Sequence, residues 1–153
     1  MLNINYVKLG LTPELFDKTS RTSDLFTADF SPAFPPMDRG FVANRFIYKS
    51  LTDDSISLIG QYVTGESLEF VAIILPLELA NGPHPIVGPE QTGVTAFVAA
   101  SGLIYDGIKG ELTIKQTVDA ATGIKTATGG FTFHIKYVLE THTVKGKFNV
   151  ASN

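Results

Sequence analysis

A period of two runs through the last third of this chain, and it leaves few folds open. Between Gly110 and Val118, Leu112, Ile114 and Val118 share one face while Glu111, Thr113, Lys115 and Thr117 share the other. Phe131, Phe133, Ile135, Tyr137 and Leu139 continue the alternation. Val144, Gly146, Phe148 and Val150 then close it, with Lys145, Lys147 and Asn149 opposite. Successive strand side chains point to opposite faces, so each run predicts a strand with one packed and one solvated side. Asp119-Ala-Ala-Thr-Gly123 reads as a hairpin loop, with Gly123 supplying the left-handed residue. A bulge at Gly129-Gly130 accounts for the change of parity after Ile124. Centring the final hairpin on Glu140-Thr141 pairs Tyr137 with Val144, Ile135 with Gly146, Phe133 with Phe148 and Phe131 with Val150.

The middle of the chain follows the same grammar. Phe41 to Lys49 predicts a strand, and Thr52-Asp53-Asp54-Ser55 a turn. Ile56, Leu58, Gly60 and Tyr62 alternate before Thr64-Gly65-Glu66 turns the chain again. These two strands also predict one packed and one solvated face. Leu68 to Leu75 is apolar on both faces, as in a strand covered on both sides. Val94 to Tyr105 forms a further strand, ended by Asp106-Gly107. Towards the N-terminus, residues 2–9 alternate loosely, and Thr12-Pro13-Glu14-Leu15-Phe16 reads as a short helix start. Residues 27–40 hold Pro32, Pro35 and Pro36 and predict an extended arm pinned by Phe30 and Phe34. The expected organisation is one domain over 1–153: an N-terminal arm with a short helix (1–40) and a β core (41–153). The fold class is all-β, an antiparallel sandwich of about seven or eight strands, with a small antiparallel barrel as the alternative.

The stretches Gly110-Glu-Leu-Thr-Ile114, Thr122-Gly123, Gly130-Phe-Thr-Phe133 and Val144-Lys-Gly-Lys-Phe-Asn-Val150 carry a pattern of Gly-x-Phe-x-Phe followed by x-Gly-x-Phe. Over 110–150 the chain resembles uncharacterised bacterial β-sandwich domains, many of them envelope lipoproteins. The resemblance implies a fold and a bacterial source but no activity. The leader and lipobox cysteine of such proteins have no counterpart here.

Composition narrows function mainly by exclusion. The chain has no cysteine, so thiol catalysis, disulfides and thiolate metal sites are out. Its formal net charge is -3, and nine Lys and three Arg are scattered singly along the sequence, with no basic stripe for nucleic acid. The longest apolar run, Phe70 to Leu75, is too short for a transmembrane segment, and no signal peptide is visible. The cytoplasm is the default location, with secretion or the envelope left open. His134 and His142 read as solvated strand histidines and His84 as a loop histidine, so no metal and no cofactor is expected. Asp53-Asp54 reads as a turn former, and Ser101-Gly102 as part of a strand with no nucleophile elbow.

The segment left over is residues 76–93, an apparent long loop stiffened by Pro76, Pro83, Pro85 and Pro89. Loops of that length in compact domains are usually functional or disordered, and a rigid crossover between sheets is the competing reading here. It supplies the candidate ligand-binding residues Asn81, His84, Ile86 and Glu90. The function expected is a non-enzymatic binding or interaction module with a protein or small-molecule partner, and homo-oligomerisation is left open. The alternatives are a barrel that holds a small apolar ligand and an enzyme with an unrecognised site.

Overall fold

The computed structural model describes residues 2–3, 24–65 and 67–152. The helix expected from Thr12 lies outside them. The described elements are twelve strands and one 3₁₀ turn, Pro35–Met37. In chain order the strands are β1 (Leu2–Asn3), β2 (Leu25–Ser31), β3 (Phe41–Val42), β4 (Arg45–Thr52), β5 (Ser55–Thr64) and β6 (Ser67–Pro76). There follow β7 (Gly82–Ile86), β8 (Thr95–Ala100), β9 (Leu103–Asp106), β10 (Gly110–Val118), β11 (Lys125–Tyr137) and β12 (Glu140–Ala151). They form two six-stranded antiparallel sheets, ordered β1-β9-β8-β6-β5-β4 and β3-β2-β12-β11-β10-β7. The sheets remain separate, so the fold is the sandwich rather than the barrel, with more strands than the seven or eight expected.

The sheets are joined where the chain changes layer, and consecutive amides show how. Ala43 N–H bonds the Phe26 carbonyl in the second sheet at 2.9 Å, and Asn44 N–H bonds Gln61 in the first at 2.8 Å. At the next corner Gly107 N–H bonds Ala96 at 2.7 Å and Ile108 N–H bonds His134 at 2.8 Å. A parallel bridge from Ile86 to Val94 spans a third crossing. Each corner therefore keeps its backbone donors satisfied while turning between layers.

The Phe-rich composition fills the space between the sheets. Phe26 lies 5.6 Å from Phe131, 6.0 Å from Phe148 and 6.2 Å from Phe41, centroid to centroid. Two glycines make room for these rings. A Cβ on Gly60 would stand 2.6 Å from Phe26 Cγ, and one on Gly146 2.5 Å from Phe131 Cζ. Burying a Phe is worth about 1.5–3 kcal/mol, so this quartet anchors the sandwich. The first sheet carries a second buried cluster on its other face: Ile47, Ile59, Phe70, Ala72, Phe97 and Ala99. β6 is thus covered on both sides, as its sequence predicts. β4 and β5 are covered on both sides too, contrary to the single solvated face expected of them.

Several expectations need correction. Residues 25–31 are no arm: β2 pairs with β12 on one side and β3 on the other. The three prolines that suggested an arm all follow the strand, beginning at Pro32. Phe34 is buried and Phe30 packs against it at 5.1 Å, so the pinning by these two rings is correct. Residues 76–93 are not one loop, because β7 pairs with β10 inside them. An edge strand needs ladder donors from every second residue only, and Pro83 and Pro85 take the parity opposite to Gly82, His84 and Ile86. Ser101 and Gly102, at φ 54° and 78°, are the turn between β8 and β9 rather than strand residues. The β10–β11 ladder runs without a register shift, so the bulge at Gly129-Gly130 is absent.

The last hairpin turns two residues earlier than expected, at Val138-Leu139 instead of Glu140-Thr141, so each partner shifts by four. Tyr137 pairs with Glu140, Ile135 with His142, Phe133 with Val144 and Phe131 with Gly146. An even slip preserves face assignments, which is why Leu112, Ile114, Phe131, Phe133, Ile135, Val144, Phe148 and Val150 are buried as alternation predicts although the pairing differs. Val118 and Leu139, placed in the same set, are instead 60% and 96% exposed, at the strand end and the turn.

Candidate functional site

An open cleft of about 660 Å³ lies at one end of the sandwich, where the turn after β6 passes over the end of β10. Tyr48 reaches it from the inner face of β4 and Gln116 from the inner face of β10. The Tyr48 hydroxyl donates to Gln116 Oε1 at 2.5 Å, a tie across the two sheets. Burial pushes the Tyr48 phenol above its ordinary pKa, so the hydroxyl keeps its proton and its donor role. Leu77 and Val118 form exposed apolar lips, and Ile56 and Leu79 line the walls. Glu78 and Lys125 stand at the rim.

A side-chain amide fixes the wall. Asn81 Oδ1 accepts from Gln116 N–H at 2.7 Å, and Asn81 Nδ2 donates to the Gln116 carbonyl at 3.3 Å. The Asn side chain thereby stands in for a backbone unit and extends the β7–β10 ladder past Gly82. Gln116 Nε2 adds a 3.4 Å bond to the Leu79 carbonyl. Asn44 makes the same clamp on Val63, at 2.8 Å and 3.0 Å, at the end of β5. Glu78 sits at φ 61°, a left-handed conformation that a glutamate adopts only when its surroundings enforce it.

The four sequence candidates do not converge. Asn81 holds the cleft wall. His84 sits opposite Leu112 in the ladder and donates from Nε2 to the Ala80 carbonyl at 2.6 Å, so it steadies the same turn. Ile86 is buried core. Glu90 is exposed in the turn after β7, where Gln91 N–H bonds Gly88 at 3.0 Å, at the far end of that strand. Residues 77–81 and 88–91 therefore serve different ends of the molecule.

The other histidines differ as well. His134 faces outward and shares a 3.1 Å hydrogen bond with Thr143, its ladder partner. His142, expected to be solvated, is 1% exposed. Its Nδ1 donates to the Pro32 carbonyl at 2.8 Å, while its buried Nε2 has no partner among the described residues. Its ring packs edge-on against Phe34 at 5.6 Å and Tyr137 at 6.1 Å. No group of three or more His, Cys, Asp or Glu residues that could hold a metal ion occurs among the described residues. Asp54 accepts from Thr52 Oγ1 at 2.9 Å, which fits the reading of Asp53-Asp54 as a turn former. No helix among the described residues is long and apolar enough to cross a membrane. Comparison with protein-family models, curated proteins and solved structures finds no match to this chain.

Proposed function

We propose that this protein is a non-enzymatic binding module, and that its site is the cleft bounded by Leu77, Leu79, Gln116 and Val118. The reading rests on one observation: a roomy cleft with apolar lips around a fixed hydrogen-bonding floor. Apolar walls with a few oriented polar groups are the usual make-up of a small-molecule site. The ligand class that suits it has an apolar body and one hydrogen-bonding group directed at the Gln116 amide. Preorganisation by Asn81 and Tyr48 lowers the ordering cost of binding.

Screening a fragment library by amide-resolved NMR tests this. Shifts should cluster at Leu79, Gln116 and Thr117, and Leu77→Asp with Val118→Asp should abolish them while leaving the fold intact. Shifts confined to other surfaces, or none from the whole library, would overturn the assignment.

A further inference from the structure

The hairpin between β11 and β12 ends in the one place where the chain exposes two large apolar residues side by side among the described residues. Val138 is 73% exposed and Leu139 96%. They are the whole of a two-residue turn between Tyr137 and Glu140. Val138 holds φ 58°, a left-handed conformation that a β-branched residue adopts at a steric cost, while the first position of such a turn favours glycine. Exposure and backbone both count against these residues, and neither helps the fold.

The hairpin is also a rigid projection. β10 pairs with β11 only as far as Phe133, and β2 with β12 only as far as Thr143. The tip therefore stands out beyond both neighbours. Its base is held by Tyr137, whose ring meets Phe34 at 5.2 Å and Tyr105 at 5.8 Å. Ile108, 43% exposed, emerges from the corner bonded to His134 on the same end.

Charge is distributed to match. Alternation places Lys115, Lys136, Lys145 and Lys147 on the outer face of β10, β11 and β12, opposite the buried Leu112, Ile114, Phe131, Phe133, Ile135, Val144 and Phe148. Lys109 joins them, its carbonyl accepting from His134 N–H at 3.0 Å. Five of the nine lysines thus share one face of a protein whose net charge is -3. Among the described residues, the carboxylates on that face are Asp29 and Glu111, with Glu140 beside the hairpin tip.

We propose that the Val138-Leu139 tip inserts shallowly into a bilayer surface bearing anionic headgroups, with Lys136 and Lys109 at the headgroup level. Two projecting side chains are far short of the roughly 800 Å² per partner that a stable protein interface buries. They suit shallow insertion, where a small apolar element and nearby lysines act together. Lysine stems lie along the apolar boundary while their ammonium groups stay with the phosphates.

Vesicle flotation with the full chain tests this, using phosphatidylcholine with and without phosphatidylserine. The protein should float with the anionic vesicles at low salt and release as salt rises. Val138→Gly with Leu139→Asn installs a favoured turn pair, so the variant should fold at least as stably. It should nevertheless bind at least about tenfold more weakly, from the apolar area removed. Lys136→Glu with Lys109→Glu should lose the preference for phosphatidylserine. Failure of the wild type to float, undiminished flotation of the turn variant, or equal flotation on both compositions would each overturn the proposal. So would a stoichiometric complex formed through Leu139 with a soluble protein, in the absence of lipid binding.

Discussion

Replacing Gly146 by alanine drives a methyl carbon into the Thr27 carbonyl oxygen and to 2.5 Å from Phe131 Cζ, where ordinary contact begins near 3.4 Å. The first neighbour is the backbone of β2, which can retreat only by prying that strand from β12. The second is a ring wedged between Phe26 at 5.6 Å and Phe148 at 6.3 Å. Overpacking of this kind costs about 1–3 kcal/mol, and each disrupted ladder bond adds about 1 kcal/mol. The smaller entropy of an unfolded alanine offsets about 0.4–1 kcal/mol of that. The expected loss is about 2–4 kcal/mol, or a fall in Tm of roughly 4–16 °C for a chain of this size. Urea unfolding measures it as a lower midpoint with an unchanged m-value. Gly130→Ala is the control: its added carbon meets only the Gly146 carbonyl, at 3.2 Å, and should cost less than about 1 kcal/mol. If Gly146→Ala unfolds at the wild-type midpoint, β2 does not lie against β12 as described, and the packing of Phe131 is wrong with it.

Two further outcomes follow from buried polar groups. His142→Ala removes the Pro32 bond and leaves a hole beside Phe34 and Tyr137, so it should destabilise by about 2–4 kcal/mol in the same assay. A smaller loss than that of Gly130→Ala would show His142 to be solvated after all. Glu69 titrates above the ordinary carboxylate range, chiefly because burial disfavours its charge, with Arg39 at 3.8 Å pulling the other way. The folded chain therefore binds its proton more tightly than the unfolded chain, and stability falls as pH rises from the ordinary carboxylate pKa through the raised one. Glu69→Gln should flatten that fall and leave stability below the window unchanged; a steeper decline in the variant would reverse the sign.

What the sequence conveyed was parity. The inward set Leu112, Ile114, Phe131, Phe133, Ile135, Val144 and Phe148 could be read without knowing a single strand partner, because alternation depends only on the neighbouring residue. Register depends on the turn, and here the turn misleads. Glu140-Thr141 has turn-like polarity, whereas the chain reverses at Val138-Leu139, a β-branched residue and a leucine with no local preference for it. β2 and β7 were hidden by prolines that lie just past the first and on the free edge of the second. His142 could have been found, since it shares the parity of Val144 and Phe148; its polar type outweighed its position. The cleft had no sequence signal. The Asn81 clamp on Gln116 joins residues whose chemistry says nothing of each other until β7 and β10 are side by side.

The prolines of β7 have a consequence beyond their own strand. A second chain adding to that margin of the sandwich would look for amide hydrogens at positions 83 and 85 and find pyrrolidine rings. At the opposite margin of the same sheet, β3 offers only Phe41 and Val42 as a template. The eight residues of β4 make a longer rail on the other sheet, but its pairing with β5 shifts register between Lys49 and Thr52, a twist that a straight incoming strand cannot follow. These three borders are poorly suited to growth by recruitment of strands.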